Sequence, residues 1–193
     1  GGDDGNRADH AAGAGNGYAL GNAAANESAP QTQNAGNAVG GTPLAAATPL
    51  PAFDSAAGVR IGMTLADMRA AGMKVRHDPS PDPGSTCSYA HIAGKPDLFV
   101  MLDGSRVARI DTTSPLYTTL GGVHVGMSEA QARHLLGEHV VVQPHPYTGP
   151  KGHYLVVHAK GAPTGLILET DGTTVESYRL GRWEQVQWVE GCS

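Results

Sequence analysis

The chain has 193 residues, of which 40% are hydrophobic, and this is enough apolar side chain for a core in one ordinary domain or two small ones. Its formal charge of -5 is unevenly divided, because residues 1–51 hold four acids and one base whereas residues 52–193 hold fourteen acids and twelve bases. A nearly neutral domain without a run of Lys or Arg lacks the electrostatic footprint of phosphate binding, so nucleic acid is excluded as an expected partner.

Residues 1–51 are rich in Gly, Ala and Asn and show neither helical nor strand periodicity. Such a segment buries too little apolar surface to offset about 1 to 2 kcal/mol of backbone ordering per residue, so a disordered tether is predicted. The chain starts at Gly1 without a methionine or an apolar signal core, which predicts a processed product, and no apolar stretch approaches the roughly 18 residues that cross a bilayer. A flexible leader before a compact domain resembles a bacterial lipoprotein whose lipidated cysteine would precede Gly1. An inter-domain linker and a periplasmic tail are the alternatives.

Two short helices are predicted, each opened by a hydroxyl side chain. Thr64 and Ser128 are good N-caps, and the side chains three residues later, those of Asp67 and Gln131, can reach back to the cap in a capping box. Glycines at 72 and 137 supply the C-terminal stops. Because helices of roughly two to three turns are unstable alone, both are expected to pack on a sheet.

Strands are predicted after each helix. The dipeptides Asp103-Gly104 and Asp171-Gly172 are typical of tight hairpin turns and are flanked by β-rich runs, and another such run precedes each hairpin. The predicted strands are 87–92, 98–102 and 107–110, then 154–158, 166–169 and 175–180.

The order of these elements repeats. The segment from Gly58, GVRIGMTLADMRAAG, matches the segment from Gly122, GVHVGMSEAQARHLL, at six of fifteen positions with a shift of 64, and the two hairpins match at a shift of 68. The predicted fold is therefore α+β, with two tandem repeats at residues 52–121 and 122–193, each a short helix followed by antiparallel strands. Together they are expected to form a sheet with the helices packed on one face.

The Gly-Met-Thr motif at 62–64 and the Gly-Met-Ser motif at 126–128, each followed by a short helix, a glycine stop and a tight Asp-Gly hairpin, resemble the SmpA/OmlA and β-lactamase-inhibitory-protein-like superfamily over about residues 57–192. Members of that superfamily are small exported proteins. The SmpA/OmlA lipoproteins of outer-membrane assembly carry one such unit, whereas the β-lactamase inhibitory protein carries two in tandem and grips enzymes with a concave sheet. The resemblance implies an exported binding protein, but no motif position transfers the family's contact residues.

Two cysteines are present, Cys87 in the first unit and Cys192 next to the last residue. A disulfide between them is predicted, and an exported compartment would permit it. Closing a loop of about 100 residues would stabilise the fold by roughly 4 to 5 kcal/mol on the chain-entropy model. Two buried thiols or a catalytic cysteine are the alternatives.

Chemistry-bearing motifs of serine hydrolases, zinc proteases, phosphate-binding loops and dinucleotide sites are absent from the sequence, so no catalytic residue and no cofactor is predicted. Six of the nine histidines fall in the second unit, but His153 and His158 are five residues apart in a predicted strand, which places their rings on opposite faces. Solvated or hydrogen-bonded histidines are predicted, with zinc or copper as the alternative. Asp103 and Asp171 are a symmetric carboxylate pair, yet their turn positions indicate a conformational role.

Aromatic side chains concentrate in the second unit, and Tyr and Trp are the residues that most often anchor interfaces. The predicted partner-binding residues are Tyr147, Tyr154, Tyr178, Trp183 and Trp188. About half of them are expected to be exposed and the rest to lie in the core, and the charged neighbours of Trp183 favour a loop there.

These observations predict a non-catalytic binding protein of the cell envelope, placed in the periplasm or at the outer membrane. The first hypothesis is an inhibitor or immunity-type protein that binds a secreted or periplasmic hydrolase through its sheet and loops. The alternatives are a structural lipoprotein that scaffolds outer-membrane assembly and a glycan-binding module. Membrane contact is expected only through an N-terminal lipid anchor.

Overall fold

An eight-stranded antiparallel sheet dominates the fold. The computed structural model describes residues 50–192, so the predicted tether at 1–51 lies almost wholly outside the described residues. Strands β1 (Ser55–Ala56) and β2 (Val59–Arg60) form a separate small hairpin. The sheet strands are β3 (Val75–Asp78), β4 (Cys87–Ile92), β5 (Leu98–Asp103), β6 (Arg106–Thr112), β7 (Val141–Pro144), β8 (His153–Val157), β9 (Thr164–Thr170) and β10 (Val175–Arg182). Their order across the sheet is β3-β4-β5-β6-β10-β9-β8-β7.

Two helices begin at the predicted caps. Before α1 (Leu65–Ala70), Thr64 Oγ1 accepts from the Asp67 N–H at 3.1 Å, and the Asp67 carboxylate accepts from the Thr64 N–H at 3.0 Å. Before α2 (Glu129–Leu136), Ser128 Oγ accepts from the Gln131 N–H at 3.0 Å. Each cap satisfies helix N–H groups that have no partner within the helix, so local sequence fixes where both helices start.

Each helix precedes four strands, and the hairpins that follow share details of their geometry. Ala108 is the extra residue of a β-bulge in β6, and Glu176 is the extra residue of a bulge in β10. Just before each bulge, a valine exchanges two backbone hydrogen bonds with the loop that leads into the preceding helix. These bonds join Val107 to Gly62 and Met63, and Val175 to Gly126 and Met127.

One continuous hydrophobic core covers a single face of the sheet and takes residues from both halves of the chain. Because alternate residues of a strand point to opposite faces, this core face receives every second side chain, with α1 and α2 packed above it. Its enclosed members include Met68, Leu135 and Leu136 from the helices and Val100, Ile110, Leu166 and Leu168 from the strands.

The opposite face of the sheet is here called the outer face and carries Tyr89, Met101, Arg109, Ile167 and Arg179. In the strand register Met101 lies opposite both Tyr89 and Arg109, and Arg179 lies opposite Ile167. A third helix, α3 (Trp183–Val186), lies on it, because Val186 and Trp183 pack with Tyr154 and Ile167. The two predicted helices, α1 and α2, do pack on one face, and the helix that was not predicted, α3, lies on the other. The sheet is covered on both faces near its centre.

The predicted disulfide is present, with the Cα atoms of Cys87 and Cys192 at 5.5 Å. It joins β4 to the end of the chain and closes a sequence separation of 105 residues. Within residues 50–192, none of the helices has the length and apolar character of a membrane span.

Candidate functional site

The outer face is crossed by residues 183–192, here called the C-terminal segment, which consists of α3 and the residues that follow it. The chain leaves β10 at Arg182 and turns back over the sheet. Gly165 in β9 allows this, because a Cβ atom there would lie 2.5 Å from Cε3 of Trp183. The indole ring stacks on His158 with ring centroids 4.1 Å apart and an interplanar angle of 6°. The absence of a side chain at Gly165 therefore allows Trp183, the first residue of the segment, to pack against β9.

Arg109 holds the middle of the C-terminal segment. Its side chain is buried, and its guanidinium makes a bidentate pair with Asp111, with both N–O distances at 2.7 Å. Nη1 also donates to two backbone carbonyls of the segment, Gln185 O at 2.8 Å and Trp188 O at 2.5 Å. A buried guanidinium that is fully hydrogen-bonded is tolerated, whereas an unpaired one would be costly. The segment thus supplies acceptors that this arginine requires.

Arg179 is a second buried arginine on the outer face. Its Nε donates to Val186 O at 2.6 Å, and Nη1 pairs with Glu169 at 3.0 Å. Glu169 also contacts Nε2 of His145 at 2.6 Å. Because Nδ1 of that ring accepts backbone N–H groups of residues 147 and 148, the neutral tautomer with hydrogen on Nε2 fits these contacts, and His145 donates to the carboxylate.

The end of the C-terminal segment is fixed at β4. Besides the disulfide at Cys87, the Cys192 N–H donates to Tyr89 Oη at 3.1 Å. Gly191 has φ +68°, and a Cβ atom there would collide with Tyr89 Oη, so the close approach to the sheet needs glycine. The segment is therefore attached at both ends and in its middle.

Two open grooves flank the C-terminal segment and share Val189, Glu190 and Gly191 as a common wall. The first, here called the aromatic groove, has a volume of about 630 Å³. The second, here called the acidic groove, has a volume of about 260 Å³. The remaining walls of the aromatic groove come from Gly84, Ser85, Thr86, Cys87, Tyr147 and Trp188, and those of the acidic groove from Asp78, Tyr89, His91, Phe99, Arg109 and Asp111.

Of the five predicted partner-binding aromatics, the structure brings Tyr147 and Trp188 together as walls of the aromatic groove, with 72% and 37% of their surface exposed. Trp183 is half-buried, and it opens α3 rather than lying in the loop that its charged neighbours suggested. Its ring is occupied by the stack on His158 and the packing on β9.

Tyr154 and Tyr178 are buried, which corrects their predicted contact with a partner. Tyr178 sits in the main core and donates to Tyr117 O at 3.1 Å, and burial raises the pKa of its phenol far above the usual value. Burial also raises the pKa of Tyr154, which packs under the C-terminal segment with Ile167 and Val186. Both tyrosines therefore serve the fold.

The histidines of the second half contact different elements. The rings of His153 and His158 lie on opposite sides of the sheet. His153 Nδ1 contacts Glu129 of α2 at 2.5 Å, whereas His158 stacks on Trp183 of α3. Glu129 is buried and also accepts from Thr170 Oγ1 at 2.6 Å. Among the described residues 50–192, no group of three or more His, Cys, Asp or Glu side chains is placed to hold a metal ion.

Asp103 and Asp171 differ in their surroundings. Asp171 Oδ1 accepts from the N–H groups of Thr173 at 2.8 Å and Thr174 at 2.7 Å, and these bonds lower the pKa of its carboxyl. This is the conformational role that its turn position predicts. Asp103 instead accepts from Thr86 Oγ1 at 2.7 Å and from Gln185 Nε2 at 3.2 Å, so it helps to position α3.

Four residues of the outer face were not identified from the sequence: Phe99, Val189 and the two buried arginines. Phe99 and Val189 are apolar yet 41% and 47% exposed, and both line the acidic groove. In the sequence, nothing distinguishes the two arginines from ordinary surface charges. One signal was present, because Arg109 and Asp111 are two apart in a strand and therefore share a face, where they can pair.

No protein-family model matches the chain, and no curated protein sequence matches it. Among solved structures, the chain is similar to the crystal structure of the uncharacterized protein yfeY from Escherichia coli. The TM-score is 0.45 at 13% sequence identity, and the match covers 69% of this chain and 100% of that chain.

Proposed function

We propose that the two halves of the sheet are tandem copies of one unit and that the chain is related to the SmpA/OmlA and β-lactamase-inhibitory-protein-like superfamily. The bulges at Ala108 and Glu176 are separated by 68 residues, which is also the shift between the hairpin sequences. The valine contacts with the Gly-Met loops occur in both halves. A disulfide supports an oxidising compartment, in keeping with an exported, lipid-anchored protein of the periplasm or outer membrane.

The function that the geometry supports best is non-catalytic protein binding through the outer face. The observation that carries this proposal is the clustering of exposed apolar side chains: Phe99, Tyr147, Trp188 and Val189 all line the two grooves beside the C-terminal segment. Soluble domains rarely gather such side chains without a use, and Tyr and Trp contribute disproportionately to binding energy. Because the segment is attached by a disulfide and two buried arginines, this surface loses little conformational entropy on binding.

A secreted hydrolase is the first class of partner to test, since the tandem form resembles enzyme inhibitors. The full chain is mixed with purified lysozyme and with a purified β-lactamase, and binding and residual enzyme activity are measured together. Saturable binding with loss of activity, weakened by Trp188→Ala, supports the proposal. If neither enzyme binds and an envelope extract yields no stable protein complex, the protein-binding proposal fails. Recovery of an outer-membrane barrel complex would instead favour the scaffolding role.

A glycan is the second candidate ligand, because the aromatic groove has the wall chemistry that sugars favour. Tyr147 and Trp188 bring aromatic rings to this groove, and Ser85 and Thr86 bring hydroxyl groups, of which that of Thr86 already donates to Asp103. Binding of the full chain to purified peptidoglycan, lost in Tyr147→Ala and retained in Phe99→Ala, would favour this candidate. Turnover of a generic ester, glycoside or peptide substrate that disappears on a point mutation would overturn the non-catalytic proposal.

A further inference from the structure

We infer that the acidic groove receives a cationic side chain, arginine or lysine, from the protein partner. The inference rests on the proposed protein-binding function and names the chemistry of the partner's contact. The groove lies between the C-terminal segment and β3 to β6, and its volume of about 260 Å³ suits a single long side chain rather than a whole secondary-structure element.

The charges that line the acidic groove are unbalanced. Arg109 and Asp111 form a bidentate pair and neutralise each other. This leaves two further carboxylates, those of Asp78 and Glu190, both exposed to solvent. The other titratable side chains of the groove are Tyr89 and His91, and His91 Nε2 approaches the Asp78 carboxylate at 3.4 Å. A partner that placed a positive charge here would complement the groove, whereas an anionic one would be repelled.

Aromatic and apolar side chains make the same groove suitable for the stem of an arginine or lysine. Tyr89 and Phe99 belong to its walls, and Phe99 is 41% exposed. Val189 adds an exposed apolar surface at the rim. A guanidinium or ammonium over an aromatic face gains a cation–π attraction, while its methylene stem covers apolar surface. The exposed apolar rim also indicates a protein partner rather than a free cation.

The experiment is a titration of the full chain, labelled with nitrogen-15, with N-acetyl-arginine amide and N-acetyl-lysine amide, followed by amide chemical shifts. N-acetyl-glutamine amide is the neutral control. The inference expects saturable shifts at residues lining the acidic groove for both cations, and not for the glutamine compound. In the double variant Asp78→Asn, Glu190→Gln the affinity is expected to fall by about 3-fold or more, the magnitude typical of partly exposed ion pairs.

Glu176→Gln is the matched control, because Glu176 is an exposed carboxylate that lines neither groove. It should leave the titration unchanged. Shifts that spread over the whole surface, that appear equally with the glutamine compound, or that saturate with unchanged affinity in the double variant would overturn the inference. Unchanged unfolding midpoints establish that the variants are folded.

Failure of this inference is distinguishable from failure of the proposed function. If a hydrolase binds the wild-type chain and the double variant equally well, the acidic groove is not the contact and the protein-binding proposal stands. If the cations bind in the groove but no protein partner is found in either assay of the proposed function, that function fails and with it the assignment of the groove to a partner's side chain.

Discussion

The two faces of the sheet reach burial by different chemistry. On the core face, Leu, Val and Ile side chains from both halves meet α1 and α2, and most of the packing rests on apolar side chains of suitable volume. On the outer face, Arg109 and Arg179 are buried under the C-terminal segment and are satisfied by two carboxylates and three backbone carbonyls. The core face thus tolerates repacking, whereas the outer face depends on particular polar contacts.

The two faces therefore constrain the sequence to different degrees. Many different sequences can cover an apolar sheet face. Such a face therefore requires that helices pack against the sheet but specifies little about their sequence. The outer face admits only a segment whose carbonyls meet two guanidinium groups and whose last residues reach Cys87. Its exposed side chains then stand on a rigid base, which suits a surface that binds.

Removing the disulfide should have the largest effect on the outer face. In the double variant Cys87→Ser, Cys192→Ser we expect the free energy of unfolding to fall by about 4 kcal/mol, because the bond closes a very long loop. Amides of residues 187–192 should exchange quickly with solvent, while those of β9 and β10 stay protected. Urea unfolding and hydrogen exchange measure both. Equal protection of the segment with and without the bond would contradict its attachment by Cys87.

Replacing Arg109 should cost nearly as much. Arg109→Met leaves Asp111 and Trp188 O without the donor that Arg109 supplies, whereas Gln185 O keeps the Trp188 N–H, so a loss of about 3 kcal/mol is expected. The matched control is Arg76→Met, since Arg76 is an exposed residue of β3, and it should change stability by less than about 0.5 kcal/mol. A similar small loss at both positions would show that the buried arginine is dispensable.

Filling the space under Trp183 tests the start of the C-terminal segment. Gly165→Ala puts a methyl group 2.5 Å from the indole, so overpacking of about 1 to 3 kcal/mol is expected, together with a red shift of tryptophan emission. Gly84→Ala is the control, because its Cβ would meet the nearest atom at 3.4 Å, an ordinary contact. Wild-type stability and emission in Gly165→Ala would refute the packing of the segment on β9.

The smallest expected effect concerns the hairpin turn of the second half. Backbone N–H groups of Thr174 and Thr173 lower the pKa of Asp171, so its carboxylate stabilises the fold above the unfolded-state pKa, and this contribution is lost as pH falls through the lowered folded-state pKa. Below about pH 4, the stability of Asp171→Asn should therefore fall less steeply than that of the wild type. The measurement is denaturant unfolding at pH values from 2 to 6, in steps of about one pH unit, which gives the change of the free energy of unfolding with pH. Parallel curves would exclude this contribution.

Much of the core face was predictable from local sequence. The capped starts at Thr64 and Ser128 and the β4 run were placed correctly, because caps, alternation and turn pairs act over a few residues. The edge strands β3 and β7 were missed. Each has only four residues, with charges in Val75–Asp78 and a terminal proline in Val141–Pro144, so no apolar alternation marks them.

The outer face was predictable only in part. The pairing of Cys87 with Cys192 followed from the cysteine count and the exported setting, but α3 was not expected. That helix has four residues and no side-chain N-cap, so its stability comes from tertiary packing on Ile167 and from Arg109 and Arg179. Burial of an arginine depends on partners from distant segments, which local patterns do not contain.

The proposal that the outer face binds a protein is tested by the affinity for the hydrolase that binds the full chain, or for the protein recovered with it from an envelope extract, before and after two single substitutions. Trp188→Ala removes an exposed aromatic of the outer face, and Leu116→Ala removes an exposed apolar side chain from the loop after β6, which lines neither groove. If the outer face binds, the affinity should fall by about 30-fold in the first variant, as expected for the loss of a hot spot, and by less than about 2-fold in the second. Equal affinities of the two variants, or a greater loss for Leu116→Ala, would contradict the claim that the outer face binds.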